Sequence, residues 1–432
     1  MHSVASAADM RIATMMAGIA LVLLVGTALG RLSRTLREPA VIGEITAGIV
    51  LGPSVLGQWP GDLPQKLFPP DVRPLLNAVS QVGLILFMFM VGWEFEKRLI
   101  RTHRTMAAAV SLSSVGLAFG LGVGLAALLY SRHSVVDGEV ISRSAFMLFM
   151  GAAMSVTAFP VLARILTDNR ITHTRVGSLA LAGAAIDDVI AWCMLAYVSA
   201  LVTADGDPGD LVQIAALSAV YVLVMFFVVR PLVALAFTRW AGPGHWRSLL
   251  IVLAAGAFLS AYATTWIGIH AIFGAFLFGF VMPREPVAEV TLHLREPLEH
   301  IGLVLLPVFF IVTGLSVDIG GLSGTQYLEL AAIILVACAG KLIGAIIPAR
   351  ALGLSWGESR ALGLLMNTRG LTELIILNAA LSLGVLDGQM FTMMVIMALV
   401  TTALAGPLLA RTGVLTPPPP GRAASDLTRS TA

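Results

Sequence analysis

VGSLALAGAAIDDVIAWCMLAYVSALVT, residues 176–203, is apolar or small throughout except for two adjacent carboxylates at its centre, Asp187 and Asp188. At 1.5 Å per residue a helix of this length crosses the ~30 Å of hydrocarbon in a bilayer. A carboxylate at the bilayer centre costs roughly 2.5–3.5 kcal/mol on insertion scales, so two in succession are retained only for a compensating role. An ion or proton pathway is the role such a pair implies.

Outward from this segment the same texture continues. The 432 residues are 57% hydrophobic and 12% charged, with a mean hydropathy of +0.90, outside the range of soluble globular chains. The lipid bilayer is therefore the expected surroundings, and no nucleic-acid partner is expected. Apolar stretches long enough to cross a membrane recur at 12–30, 39–56, 78–93, 106–130, 144–165, 176–203, 211–237, 248–265, 267–282, 298–317, 327–349, 361–383 and 390–409. The expected fold is an all-α polytopic membrane protein of thirteen transmembrane helices. The run 248–282 is charge-free and too long for one span, so it is divided near Thr264, Thr265, Trp266 and Gly268; a twelve-span arrangement is the competitor.

Arginine and lysine set the orientation, because short cytoplasmic loops are enriched in them. Twenty fall on one side of a thirteen-span arrangement, beginning with Arg31, Arg34 and Arg37, whereas Arg11, Lys66, Arg73, Arg132 and Arg143 fall on the other. The asymmetry implies an outside N-terminus and a cytoplasmic C-terminus in the cell (cytoplasmic) membrane. The first span follows a short polar segment without a small-residue cleavage site and reads as a retained helix. Residues 1–415 are read as one membrane unit, with Pro417–Pro420 opening a Pro-rich tail, 416–432, that is expected to be disordered and too short for a soluble regulatory domain. Cys193 and Cys338 lie in apolar spans, and the eight histidines show no paired ligand spacing, so neither a cofactor nor a bound metal is expected beyond a transported ion.

Few charges remain at membrane depth: Glu44, Asp187, Asp188, Lys341, Arg369 and Glu373. Neighbouring positions on a helix project about 100° apart, so the two aspartates cannot share one small site. One can meet another helix while the other faces a cavity, and Lys341 is the natural partner for the first, since an unpaired ammonium is as costly there as an unpaired carboxylate. Adjacency also argues against an intramembrane aspartyl protease, whose two carboxyls must converge on one proton.

Two spans are interrupted. In the first, Gly151 to Pro160, small residues, Ser155, Thr157 and a proline without a backbone donor predict an unwound segment. In the second, Met366 to Glu373, Arg369 and Gly370 break the apolar run, and Arg369 and Glu373 at i and i+4 can pair or Arg369 can neutralise helix C-terminal ends. Broken helices at corresponding places in two halves predict an inverted repeat, about 12–203 and 248–410, around a linker helix at about 211–237. A buried carboxylate in such a site can hold a proton or a metal ion but not both, and competition for it, open to one side at a time, gives antiport. Glu44, one turn from Gly48, reads as a packing carboxylate, Glu94 as a solvated helix end, and His270 as a buried hydrogen-bonded histidine.

The chain resembles the cation:proton antiporter-2 branch of the monovalent cation/proton antiporters, which includes Kef-type potassium/proton and bacterial sodium/proton exchangers. The resemblance is carried in order by IGEITAGIVLGPSVLG (42–57), MVGWE (90–94), SVTAFPVLAR (155–164), AIDD (185–188), Gly340-Lys341 and TRGLTE (368–373). It implies a core domain with two crossed broken helices moving against a dimerisation domain in a homodimer. It also implies that Asp188 is the main cation and proton carrier, that Asp187 pairs with Lys341, that Thr157 helps line the site, and that exchange of Na+ or K+ for H+ is electrogenic. A cation channel and a sodium-coupled solute symporter of similar fold are the rival functions.

Overall fold

The computed structural model describes residues 7–412 except 37, 95–103, 137, 173, 205–206, 241–245 and 284–287. The Pro-rich tail and the basic residues Lys97, Arg98 and Arg101 lie outside the described residues. Helices α1 (Ala7–Thr35), α2 (Ala40–Leu51), the short α3 (Leu63–Leu67), α4 (Arg73–Glu94) and α5 (Arg104–Leu129) lead to a two-residue hairpin, β1 (Val135–Val136) with β2 (Glu139–Val140). Then follow α6 (Arg143–Ser155), α7 (Phe159–Asp168), α8 (Arg175–Thr203), α9 (Pro208–Val224) and α10 (Arg230–Trp240), the last two joined by a π-helical turn over 225–229. The second half comprises α11 (Trp246–Ile267), α12 (Ala271–Phe280), α13 (Ala288–Leu315), α14 (Gly324–Ala351), α15 (Trp356–Met366), α16 (Leu371–Ser382) and α17 (Gly388–Ala410).

Among the described residues eleven helical segments are long and apolar enough to cross a membrane, α6 with α7 and α9 with α10 each counting as one. With the shorter apolar α12 and the broken pair α15 and α16, the helix count is roughly that of the thirteen expected. The 248–282 run does divide: α11 ends at Ile267, Gly268 turns with φ +103° and α12 starts after His270. Loops end in polar caps that satisfy the first amides of the next helix. Thr174 accepts from Gly177 at the start of α8, Asp387 from Met390 at the start of α17, and Ser355 forms a capping box with Glu358 before α15.

Both interruptions have a local cause. Pro160 cannot donate to the Val156 carbonyl, so α6 stops at Ser155, residues 156–158 run unwound, and α7 restarts with the proline in its first turn, where a missing donor is harmless. Gly370 begins α16 with φ +155°, a region open to glycine, and a Cβ there would lie 2.6 Å from Val161 Cγ2 of α7. The unwound segments touch: the amide of Ala158 donates to the Thr368 carbonyl at 3.1 Å. The two broken helices therefore cross.

Two bundles result. One packs α5, α6, α8, α14, α15 and α17 around the crossing, and the other packs α1, α2, α4, α11, α12 and α13. Within the first, α14 lies close on α5 because Gly340 faces Ala118; a Cβ at Gly340 would sit 2.6 Å from Ala118 Cα. That contact lets the side chain of the next residue, Lys341, reach the aspartate pair on α8.

Candidate cation and proton site

The aspartate pair divides its labour by orientation. Asp187 is buried, and its carboxylate receives three donors: Ser111 Oγ at 2.5 Å on Oδ1, Thr157 Oγ1 at 2.6 Å on Oδ2, and Lys341 Nζ at 2.8 Å on Oδ2. Lys341 has no exposed surface. Asp187 is thus a saturated carboxylate that neutralises a buried ammonium, the arrangement a charge at this depth requires.

Asp188 points the other way, onto a cavity of about 560 Å³ between the two bundles. Its side-chain partner in the protein is Thr372, whose hydroxyl lies 3.3 Å from Oδ1, supplemented by the backbone amide of Phe159 at the start of α7. The cavity walls are mostly apolar, with Phe87, Met90, Phe276 and Phe310 among them, and among the described residues the charged contributions are Asp188, Glu44 and Arg34. A second cavity of about 240 Å³, lined by Ser142, Ser144 and Gly384, lies at the opposite ends of the helices and does not include either aspartate in its walls.

Arg369 holds the crossing together. Its Nη1 donates to the Ala153 carbonyl at 2.9 Å and its Nη2 to the Met154 carbonyl at 2.6 Å, the last turn of α6, while Nη1 also meets Glu373 Oε1 at 3.2 Å. Both side chains are buried. A planar guanidinium suits this task because it spans two carbonyls at once, at the negative end of the α6 dipole. Of the two readings for Arg369, the structure contains both the i,i+4 pair and the contact with helix ends.

Some sequence-selected residues stand elsewhere than expected. Of the aspartate pair with which it was grouped, Thr157 contacts Asp187, and its hydroxyl also lies 2.7 Å from the Met366 carbonyl. Its single proton serves only one acceptor at a time. The Ser155 hydroxyl turns back onto the Ala152 carbonyl, as is usual for serine in a last helical turn. Pro160 and Asp188 share the cavity wall, and Gly370 closes the break from the side of α16. Glu44 is half-buried on the cavity wall, not packed between helices as its small-residue neighbours suggested, because the glycines face α1 and α13 and leave the carboxylate to the open side. Ser111 and Thr372 escaped the sequence reading. Ser111 belongs to a polar patch, Ser111, Ser113 and Ser114, in an otherwise apolar span, and that patch was its only signal.

Residues 19–414 match the sodium/hydrogen exchanger, transmembrane, family. A Na(+)/H(+) antiporter of Synechocystis is 38% identical over 395 residues, covering 90% of this chain and 95% of that protein. K(+)/H(+) antiporter 1 of Saccharomyces cerevisiae is 36% identical over 382 residues, and there the match takes 86% of this chain but 43% of the longer relative. The solved sodium proton antiporter of Methanocaldococcus jannaschii at pH 8 superposes with a TM-score of 0.63 at 14% identity, over 94% of this chain and 98% of that one. With a family match across nearly all of its membrane helices, and a fold shared with a solved antiporter, this chain belongs to the sodium/hydrogen exchanger family.

Proposed function

We propose that the chain exchanges a monovalent cation, Na+ or K+, for protons at Asp188 by alternating access. The observation that carries this reading is the asymmetry of the aspartate pair: Asp187 has three donors, whereas Asp188 has one hydroxyl and one amide and faces the cavity. A carboxylate so placed has coordination capacity to spare. It can take a proton or an alkali cation from the cavity, and either one neutralises the charge so that the loaded carrier can move through apolar surroundings. Occupancy by one excludes the other, which couples the two flows.

The basic residues of the short loops support an outside N-terminus and a cytoplasmic C-terminus in the cytoplasmic membrane. On that orientation Arg34 marks the cytoplasmic mouth of the cavity, and the conformer is open inward. The two bundles then correspond to a moving core and a second domain that forms the contact surface of a homodimer. Charge movement follows from the second ionisable unit: if a cation at Asp188 displaces a proton from Lys341 as well as from Asp188, two protons exchange for one cation. An open channel would show conductance far above carrier turnover and current without proton coupling. A sodium-coupled solute symporter would show uptake of an organic solute and little cation-induced proton release.

The test is proton release in acid-loaded proteoliposomes on addition of sodium or potassium. Wild-type protein is expected to dissipate the gradient, and Asp188→Asn to abolish the response. Wild-type rates in Asp188→Asn would remove Asp188 from the mechanism.

A further inference from the structure

Glu44 is a carboxylate on the exchange route that the Asp188 mechanism leaves unused. It lies on α2, half-buried in the wall of the 560 Å³ cavity that Asp188 also lines. Among the described residues it makes no hydrogen bond or ion pair, so its oxygens are not committed to packing. Its Oε1 lies beside Gly30 of α1, at ordinary contact distance, 3.7 Å, from where a Cβ would stand. The charged group acting on it is Arg34, one turn further along α1 and on the same wall. Among the described residues, α13 gives the cavity glycine, proline and apolar side chains and α4 apolar ones, and the charged or titratable groups lining it are Arg34, Glu44 and Asp188.

An apolar-walled funnel is a poor path for a bare cation or proton, because neither is well solvated beside aliphatic and aromatic carbon. A second carboxylate between mouth and site changes this. It provides a stopping point where the ion exchanges part of its water for carboxylate oxygen before reaching Asp188, and it raises the local cation concentration through its field. Arg34 keeps the step from becoming a trap, since a nearby positive charge weakens cation binding and favours release inward.

We propose that Glu44 is a relay carboxylate in the entry funnel, receiving the cation or proton from solution and passing it to Asp188. This rests on Asp188 being the exchange site. A hydrated alkali cation and a hydronium are both suitable passengers, since each is recognised by the same oxygen and charge.

The experiment compares Glu44→Gln and Glu44→Asp with wild type in proteoliposomes, measuring exchange against sodium and potassium concentration at several values of pH on the side of the Arg34 face. Glu44→Gln is expected to raise the apparent KM about 3–10-fold, to leave the maximal rate within about 2-fold, and to shift the pH profile; Glu44→Asp is expected to restore most of the KM. A packing role would lower the amount of folded protein without moving KM or the pH profile. Should Glu44→Gln fail to yield protein, Arg34→Gln serves on its own: as an exposed substitution it is expected to lower the KM and move the pH profile in the wild-type background. Unchanged KM and pH profile in Glu44→Gln, or in Arg34→Gln where that is the variant available, overturn the relay. Asp188→Asn run in parallel separates the two readings, because loss of exchange there with an unaltered Glu44→Gln condemns only the relay, whereas exchange retained in Asp188→Asn condemns the site itself.

Discussion

Lys341 and Asp187 form an ion pair with Nζ to Oδ2 at 2.8 Å and no exposed side-chain surface on either partner. Removing one member of such a pair leaves a buried charge without compensation, at a cost of about 3–5 kcal/mol. Lys341→Ala is therefore expected to lower the unfolding temperature in detergent by several degrees, and adding Asp187→Asn to recover part of the loss. A double variant that is no more stable than Lys341→Ala alone would show that the pair is not coupled. Charge movement on a solid-supported membrane, compared between Lys341→Ala and wild type, reads the second ionisable unit independently of stability.

Ser111 and Thr157 complete the shell of Asp187 from two other helices, α5 and the unwound segment after α6. Hydrogen bonds to charged groups contribute about 1.5–3 kcal/mol. Ser111→Ala is expected to destabilise by that order while preserving cation selectivity, since the hydroxyl does not face the cavity. Thr372→Val removes the hydroxyl next to Asp188 and is expected to do the reverse, changing the apparent KM for cation by severalfold with little effect on thermal unfolding. Equal effects of the two substitutions on KM would contradict the division of roles between the aspartates.

Arg369 binds the crossing through two carbonyls of α6 and one carboxylate of α16. Lysine retains the charge but has no fork, so Arg369→Lys cannot hold both carbonyls at once. It is expected to lose exchange and to unfold at lower temperature, whereas Glu373→Gln, which keeps an acceptor oxygen beside the guanidinium, is expected to be milder on both measures. Greater damage from Glu373→Gln than from Arg369→Lys would put the carboxylate, not the carbonyls, at the centre of the crossing.

The approximate number of spans, the doublet, the two breaks and the Asp187–Lys341 contact were legible in the chain, and for one reason: in an apolar background every charge, proline and glycine stands out. Span limits followed from length against bilayer thickness. What escaped depended on direction around a helix. Thr157 was grouped with the aspartate pair as a whole, and only the turn of the unwound segment directs its hydroxyl to Asp187 and the Met366 carbonyl. Glu44 looked like a packing group because of its glycine neighbours, yet those glycines take the contacts with α1 and α13 and leave it on the cavity. Ser111 is one serine of several in α5, and only the tertiary fold distinguishes it.

Gly370 joins the two breaks with a backbone that a side chain resists. Its φ of +155° and the 2.6 Å approach of Val161 Cγ2 to a Cβ make Gly370→Ala both strained and crowded. A loss of about 2 kcal/mol or more is expected, with reduced exchange because α16 carries Thr372. Val161→Ala, which vacates the space, is expected to recover the crowding part only; full rescue would assign the whole effect to sterics and none to the backbone.

The helix ends opposite Arg34 carry a clasp whose strength depends on pH. His133, after α5, places Nδ1 2.5 Å from Asp387 Oδ2 at the start of α17 and Nε2 3.1 Å from Glu329 Oε2 in α14, and Arg132 reaches the other oxygen of Glu329 at 2.5 Å. Both ring nitrogens face carboxylate oxygens, which suits the doubly protonated ring. Burial pulls the imidazolium down, but the hydrogen bonds and charges of Asp387 and Glu329 outweigh it and hold its pKa above the ordinary 6.5. Asp387 is moved oppositely: burial raises it, and the His133 hydrogen bond, the Met390 amide and the His133 charge outweigh that and leave it below 3.8. The folded protein thus holds the histidine proton more tightly than the unfolded chain, so this contribution is complete below about pH 6.5 and is lost as pH rises through the higher folded value. The Asp387 contribution is present above about pH 4 and is lost as pH falls through its lowered value. Between those limits the clasp is strongest. Thermal unfolding of the wild type in detergent is expected to decline from pH 6.5 toward alkaline values more steeply than that of His133→Gln, which keeps a side-chain donor but cannot titrate. Parallel curves for the two proteins would show that His133 does not carry the pH dependence.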